Sequence, residues 1–246
     1  MVNKSIIYKT FTDIIDNKCS QHLTLNKNII KTFNNFADKT RSKKRETAII
    51  TDDKGVILDT VKGNKDSVNI EASLVIAWYE HGRKPLHIDH NHPNKNESYY
   101  PTQLSPADID KVIDKYKDTG EFMVRSITCE DSFNHSRMTL VRGDNYDSKK
   151  NGHDFHKADM YMLTEFYGKF NDITFKRPRR EKFEELWDNI KDKPPVNSKE
   201  YNDLMNKVNI EACEYALQEC GYYTDLKKVQ GMFRKANCKL TFEWVE

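Results

Sequence analysis

Apolar residues recur every three or four positions near the N-terminus of the chain. Two groups of them, at residues 6–15 and 25–36, are separated by Asn and Asp residues, and each group would line one side of a helix. The spacing therefore predicts two helices within residues 4–38. A charged run, KTRSKKRE at residues 39–46, predicts a solvated connection to the next element.

Strand-like patterns follow this connection. β-Branched residues flank Asp53-Lys54-Gly55, which predicts a strand, a hairpin turn and a second strand. Residues 85–93, PLHIDHNHP, predict a short buried strand that stops at Pro93, because proline has no N–H to donate to a sheet. The same patterns predict further strands at residues 123–131, 137–146 and 239–246, the last of them as an edge strand.

Helical spacing returns between these strands. Residues 69–82 have a broad apolar face and end at Gly82, a natural helix C-cap. The segment Ser105-Pro106-Ala107-Asp108 has the features of a helix start: Ser as N-cap, Pro in the first turn and an acidic residue three places after the Ser. This helix is predicted to continue to about Thr119.

The order of these elements indicates an α+β protein in three parts. Residues 1–45 form an N-terminal helical extension and residues 46–146 form one compact unit. Residues 147–246 form a mainly helical region, with breaks predicted at Pro178 and at Pro194-Pro195.

Composition narrows the functional classes. Hydrophobic residues make up 37% of the chain and charged residues 32%, which indicates a folded protein with a very polar surface. The net charge of +2 provides no overall attraction to nucleic acid or to an anionic membrane, so basic runs such as FKRPRREK are expected to be solvated helix faces. There is no signal-peptide core and no apolar stretch of membrane-spanning length, so we expect a cytoplasmic protein.

Five cysteines are scattered along the chain without a C-x-x-C pair. This distribution is typical of reduced thiols, not of a disulfide framework or a zinc finger. Each cysteine is expected to be a small, semi-buried apolar residue. They are Cys19, Cys129, Cys213, Cys220 and Cys238.

The strand predicted at residues 85–93 contains a concentration of candidate metal ligands, three histidines and one aspartate. Side-chain alternation places His90 and His92 on one face of that strand, and His87 and Asp89 on the other, where a packing role is expected. Two imidazoles on one face can bind one ion, and Zn²⁺ accepts neutral histidine nitrogen. A catalytic zinc ion needs a third protein ligand and keeps one position for water.

Asp108 is the candidate for the third ligand. A carboxylate in the first turn of the next helix can reach back over the end of the strand. The alternative is that Ser105 and Asp108 only cap the helix, because S-x-x-D is also a capping pattern. The short distance along the chain from the His90 and His92 pair favours the metal-binding interpretation.

These motifs, in this order, resemble those of the JAMM (MPN-type) zinc metalloproteases. Their local amino-acid sequence is similar to that of RadC-like and phage-encoded JAMM domains. The resemblance covers residues 46–146 and implies a cytidine-deaminase-like, three-layer sheet flanked by helices. Twelve residues separate His92 from Ser105, several more than is usual in the family, which predicts a longer loop beside the site. The matching residues are Glu46, His90-Asn91-His92-Pro93 and Ser105-Pro106-Ala107-Asp108.

The resemblance implies a zinc-dependent peptidase or isopeptidase that acts on a protein or peptide substrate. His90, His92 and Asp108 would bind the Zn²⁺. Glu46 would act as general base and then as general acid, and Ser105 would donate to the oxyanion. For a phage-encoded chain, the expected location is the host cytoplasm or the virion.

Three alternatives stay open. The string LHIDHNHP also resembles the His-Me (HNH) nucleases, although these usually hold the motif between C-x-x-C pairs that this chain lacks. A non-catalytic MPN-type scaffold or phage structural protein would keep the fold for binding, although such scaffolds typically lack the metal ligands. Glu46, which follows Lys43, Lys44 and Arg45, can also be an ordinary solvated glutamate.

Overall fold

Six strands of the described chain form one mixed β-sheet. The structure is a computed structural model that describes residues 23–93, 102–114, 120–131, 135–169 and 173–245. The strands are β1 (Thr47–Thr51), β2 (Ile57–Lys62), β3 (Leu86–His92), β4 (Val124–Asp131), β5 (Ser136–Arg142) and β6 (Cys238–Trp244). Their order in the sheet is β2-β1-β3-β4-β5-β6, with β3 and β4 parallel and all other neighbours antiparallel. The predicted strands are confirmed.

The turn between β1 and β2 forms where the sequence predicted it. The Oδ1 atom of Asp52 accepts hydrogen bonds from the backbone N–H groups of Lys54 (2.9 Å) and Val56 (2.8 Å). Gly55 has a φ of 82°, and a Cβ at this position would lie 2.8 Å from the backbone carbonyl of Asn28. Glycine is therefore required here, because it permits both the left-handed conformation and the close backbone contact.

Helices cover the sheet. They are α1 (Lys27–Thr40), α2 (Glu71–Glu80), α3 (Pro106–Ile113), α4 (Ser148–Tyr161), α5 (Tyr167–Lys169), α6 (Ile173–Asp188), α7 (Lys199–Glu219) and α8 (Tyr222–Lys235), and a π-helical segment, Met162–Phe166, joins α4 to α5. The helix predicted at residues 25–36 is confirmed as α1, and that at residues 69–82 as α2. The helix predicted at residues 6–15 lies outside the described residues.

Two predictions about helices are wrong. The helix that starts after Ser105 ends at Ile113 instead of near Thr119, because Asp114 adopts an extended conformation and all the buried residues of α3 lie before it. The predicted break at Pro178 is absent, and α6 continues through it. Proline removes one helical hydrogen bond, but the next residue, Arg179, is buried and donates hydrogen bonds to side chains of α7, which holds α6 in place.

The sheet has a hydrophobic core on each face. On one side, which we call the α1 face, Ile29, Phe33 and Phe36 of α1 pack against Ile49. The larger core lies on the opposite side, the α3 face, where Ile50 packs with residues of α2, α3, α4, α7 and α8. This arrangement confirms an α+β protein with a mixed sheet flanked by helices. The specific MPN/JAMM fold stays a prediction.

The C-terminal strand belongs to this same sheet. β6 pairs with β5 at the edge of the sheet, as the alternation of residues 239–246 predicted. The division of the chain at residues 46 and 146 stays a prediction, although a strand from beyond residue 146 completes the sheet. None of the helices in the described ranges has both the length and the apolar character needed to span a membrane.

Candidate metal centre

Polar residues meet at one end of the α3 face, where the sheet register brings distant parts of the chain together. β3 pairs with β4 so that His90 lies beside Cys129 and His92 beside Asp131. Because paired residues on neighbouring strands point to the same face, His90, His92, Cys129 and Asp131 all belong to the α3 face. Glu46 directly precedes β1, whose pairing with β3 begins at Ala48 and His90.

The two histidines lie together, as predicted. The centroids of the His90 and His92 rings are 5.3 Å apart, and the ring planes make an angle of 71°. His90 is buried and His92 is partly exposed, so the pair lies where the core meets solvent. Buried nitrogen ligands close to solvent suit an ion that must also bind water.

Cys129 is the residue at this site that sequence reasoning missed. The ligand atoms of His90, His92 and Cys129 all lie within 4.8 Å of one another. Cys129 is fully buried, and burial raises the pKa of its thiol to about 11. The hydroxyl of Thr102 donates a hydrogen bond to its Sγ atom (3.2 Å). The alternation of β4 predicts the face of Cys129, but only the parallel register shows that its neighbour is His90.

Asp108 lies beside His90 and also caps α3. Its Oδ2 atom accepts hydrogen bonds from the backbone N–H (2.9 Å) and the hydroxyl (2.7 Å) of Ser105, and the Ser105 hydroxyl accepts one from the backbone N–H of Asp108. The capping alternative is therefore present in the structure. The same Oδ2 atom is 3.5 Å from Nε2 of His90, so the carboxylate also reaches the histidine pair. Asp108 is not a member of the three-residue group within 4.8 Å.

The charges of His90 and Asp108 depend on each other. Burial alone would lower the pKa of His90, but Cys129 and Asp108 raise it well above 6.5. Burial would raise the pKa of Asp108, but the neighbouring His90 and the hydrogen bonds from Ser105 hold it well below its usual range. In the absence of an ion, His90 and Asp108 therefore form an ion pair, and His90 must release its proton before its nitrogen can bind a metal ion.

Glu46 is anchored through its backbone to the residues that follow β2. Its N–H donates to the carbonyl of Asn64 (2.7 Å), and its carbonyl accepts from the N–H of Gly63 (2.8 Å). On the other side, the side-chain carbonyl of Asn91 accepts a hydrogen bond from the N–H of Thr47 (2.8 Å). Glu46 is only 8% exposed, so the alternative of an ordinary solvated glutamate is wrong even though three basic residues precede it.

The α1 face carries the other polar residues of β3, as the predicted alternation requires. Asp89 is fully buried there, and burial, followed by the negative charge of Glu130, raises the pKa of Asp89 well above its usual value. Arg137 donates to Glu130, to Asn34 (2.8 Å) and to Glu243 (3.1 Å). This cluster connects α1 to β4, β5 and β6.

The burial of His87 on the α1 face is expected to make the protein less stable in acid. Its Nδ1 atom is 2.7 Å from the hydroxyl of Ser126, and burial, with a contribution from Arg125, lowers the pKa of His87 from 6.5 to about 4. The unfolded chain therefore takes up this proton first as the pH falls, and the contribution of neutral His87 is lost between about pH 6.5 and 4. We expect the free energy of unfolding, measured in urea, to decrease through this group by about 2 kcal/mol from pH 7.5 to pH 5.

Two matched variants separate the contribution of His87 from the contributions of other titrating groups. His87→Gln should remove most of that decrease, whereas His153→Gln, at an exposed histidine of α4, should leave it unchanged. Equal pH dependence of the wild type and His87→Gln would show that His87 is not the group responsible.

Comparisons of the chain with protein-family models, with curated proteins and with solved structures return no match. The functional interpretation therefore depends on the geometry of the residues on the α3 face.

Proposed function

We propose that this protein is a metal-dependent hydrolase that cleaves amide bonds, acting as a zinc peptidase or isopeptidase. The observation that carries the proposal is the proximity of two histidines and an aspartate, His90, His92 and Asp108, at one end of the α3 face. A buried glutamate, Glu46, directly precedes the strand that pairs with β3, and it completes the residue set that the JAMM resemblance implies.

The donor set fits a zinc ion. His90 and His92 provide two nitrogen ligands, and either Asp108 or Cys129 can provide the third. Two oxygen or nitrogen ligands of a tetrahedral zinc ion are about 3.4 Å apart, close to the observed 3.5 Å between Asp108 Oδ2 and His90 Nε2. This distance is compatible with the carboxylate ligand that the JAMM resemblance implies, and Cys129 is the other candidate because it belongs to the group within 4.8 Å.

The side chains of the site would carry out the proton transfers. When bound, the ion lowers the pKa of its water from about 15.7 toward 7 and polarises the scissile carbonyl. Glu46 would take the proton of that water and then deliver it to the leaving amine. Ser105 donates its hydroxyl to Asp108 in the structure and would redirect it to the developing oxyanion.

The proposal is tested by incubating the zinc-loaded protein with two amide probes. One is a mixture of quenched fluorogenic peptides of randomised sequence, and the other is a peptide conjugate joined through a lysine isopeptide bond. We expect hydrolysis in isotopically labelled water to place the label in the new carboxyl group. A chelator should stop the reaction and added zinc should restore it.

Two results would contradict the proposal. Folded, zinc-loaded protein that leaves every probe intact would favour a non-catalytic scaffold. Cleavage of plasmid DNA in Mg²⁺, lost in a His90→Ala variant, would instead support the HNH-type nuclease alternative.

A further inference from the structure

We infer that Cys129 is a ligand of the ion and that the site binds metal through two nitrogens and one sulfur. The inference deepens the proposed function and rests on it, because it concerns the same ion. It changes the identity of the third protein ligand from the carboxylate of Asp108 to the thiolate of Cys129.

The ligand atoms of His90, His92 and Cys129 lie close enough together to bind one ion. An ion needs ligands that surround it, and every pair within His90, His92 and Cys129 satisfies a separation of at most 4.8 Å. Asp108 is close to His90 but lies outside this group. All three members of the group are carried on the adjacent strands β3 and β4, whose backbone hydrogen bonds fix their relative positions. Sites built on strands or helices are held more precisely than sites on loops.

The sulfur of Cys129 lies beside a buried hydroxyl. Thr102 is 1% exposed, and its Oγ1 atom lies 3.2 Å from the Sγ atom of Cys129 and 3.4 Å from the backbone carbonyl oxygen of the same residue. The N–H of Thr102 donates to the Ser136 hydroxyl (2.8 Å), which keeps Thr102 at the site. A hydroxyl that donates to sulfur stabilises a thiolate ligand, as partners of metal ligands commonly do.

Asp108 is already engaged in the cap of α3. Its Oδ2 atom accepts two hydrogen bonds from Ser105, at the start of that helix. Moving this carboxylate onto the ion would weaken the cap. If Cys129 binds the ion, Asp108 keeps the cap and stays within 3.5 Å of His90, where it orients the imidazole.

The chemistry of a sulfur ligand has two consequences. On binding, the Cys129 thiol loses its proton to solvent and the sulfur forms a bond to the ion, so each ion bound releases that proton. A thiolate also favours zinc over magnesium or manganese, which prefer oxygen ligands. Three protein ligands leave the fourth tetrahedral position for water, so the site stays suitable for hydrolysis.

The inference is tested by titrating the full-length protein with Co²⁺ as a zinc substitute. We expect the wild type to show a near-ultraviolet sulfur-to-cobalt charge-transfer band together with visible bands of tetrahedral cobalt. Cys129→Ser should lose the near-ultraviolet band and bind Co²⁺ at least about 10-fold more weakly, since even partners that only orient a ligand contribute about 10- to 100-fold. Asp108→Asn should keep the band. X-ray absorption of the zinc-loaded wild type should show one sulfur at about 2.3 Å and requires no variant.

The controls and outcomes separate the two proposals. Cys238→Ser removes an equally buried thiol at the opposite end of the sheet and should leave the spectrum unchanged. Wild-type protein that binds Co²⁺ without the sulfur band, with no sulfur near zinc, would overturn the inference and leave the hydrolase proposal intact. Wild-type protein that binds neither ion would overturn both.

Discussion

Replacing His90 and His92 together with alanine is expected to remove tightly bound zinc, from about one ion per chain in the wild type to almost none. The change deletes both nitrogen ligands. Loss of a partner that only orients a ligand typically costs about 10- to 100-fold in affinity, so loss of both ligands should cost at least about 1,000-fold. Hydrolysis of the amide probes should disappear with the metal. Zinc content after dialysis, measured by elemental analysis, gives the result.

A matched pair of histidines provides the control. His153 and His156 are exposed on α4, and replacing both with alanine removes the same side chains without affecting the α3-face site. His90 is buried, so circular dichroism must show that the His90→Ala/His92→Ala protein is still folded. Equal zinc content in the wild type and a folded double variant would show that His90 and His92 do not bind the zinc. The proposed hydrolase would then be excluded as well.

Replacing Glu46 with glutamine should have the second-largest effect, a loss of about 100- to 10,000-fold in hydrolysis of the amide probes with zinc retained. Glutamine has nearly the same shape and keeps the backbone hydrogen bonds to Asn64 and Gly63, but its side chain does not accept a proton from water. Zinc content and hydrolysis must be measured on the same samples, because only their separation identifies the general base.

An exposed glutamate supplies the comparison for this variant. Glu80→Gln, in the last turn of α2, makes the same chemical change away from the site and should leave both readouts unchanged. Full turnover in Glu46→Gln would exclude Glu46 as the base. Loss of zinc together with activity would show that Glu46 supports the metal and not the proton transfer.

Local sequence patterns predicted much of this structure because each pattern has a local physical cause. The residues of β3 alternate, so the faces of His90 and His92 followed from the backbone geometry of a strand. Ser105 was identified as an N-cap because the first turn of a helix leaves N–H groups without partners, and the structure contains that capping box.

Other features depend on contacts between distant segments, and local patterns do not contain them. Cys129 is a candidate ligand only because β4 lies parallel to β3 with Cys129 beside His90. Glu46 is buried and its backbone is hydrogen-bonded to Gly63 and Asn64, which follow β2, whereas its basic sequence neighbours suggested exposure. The helix continues through Pro178 because Arg179 is held by α7.

Anomalous diffraction from crystals of the zinc-loaded protein, recorded on both sides of the zinc absorption edge, tests the metal centre most directly. We expect one strong peak on the α3 face, at about 2.0–2.1 Å from a ring nitrogen of both His90 and His92. A peak bound elsewhere, or fully zinc-saturated crystals with no peak between these two rings, would contradict the account.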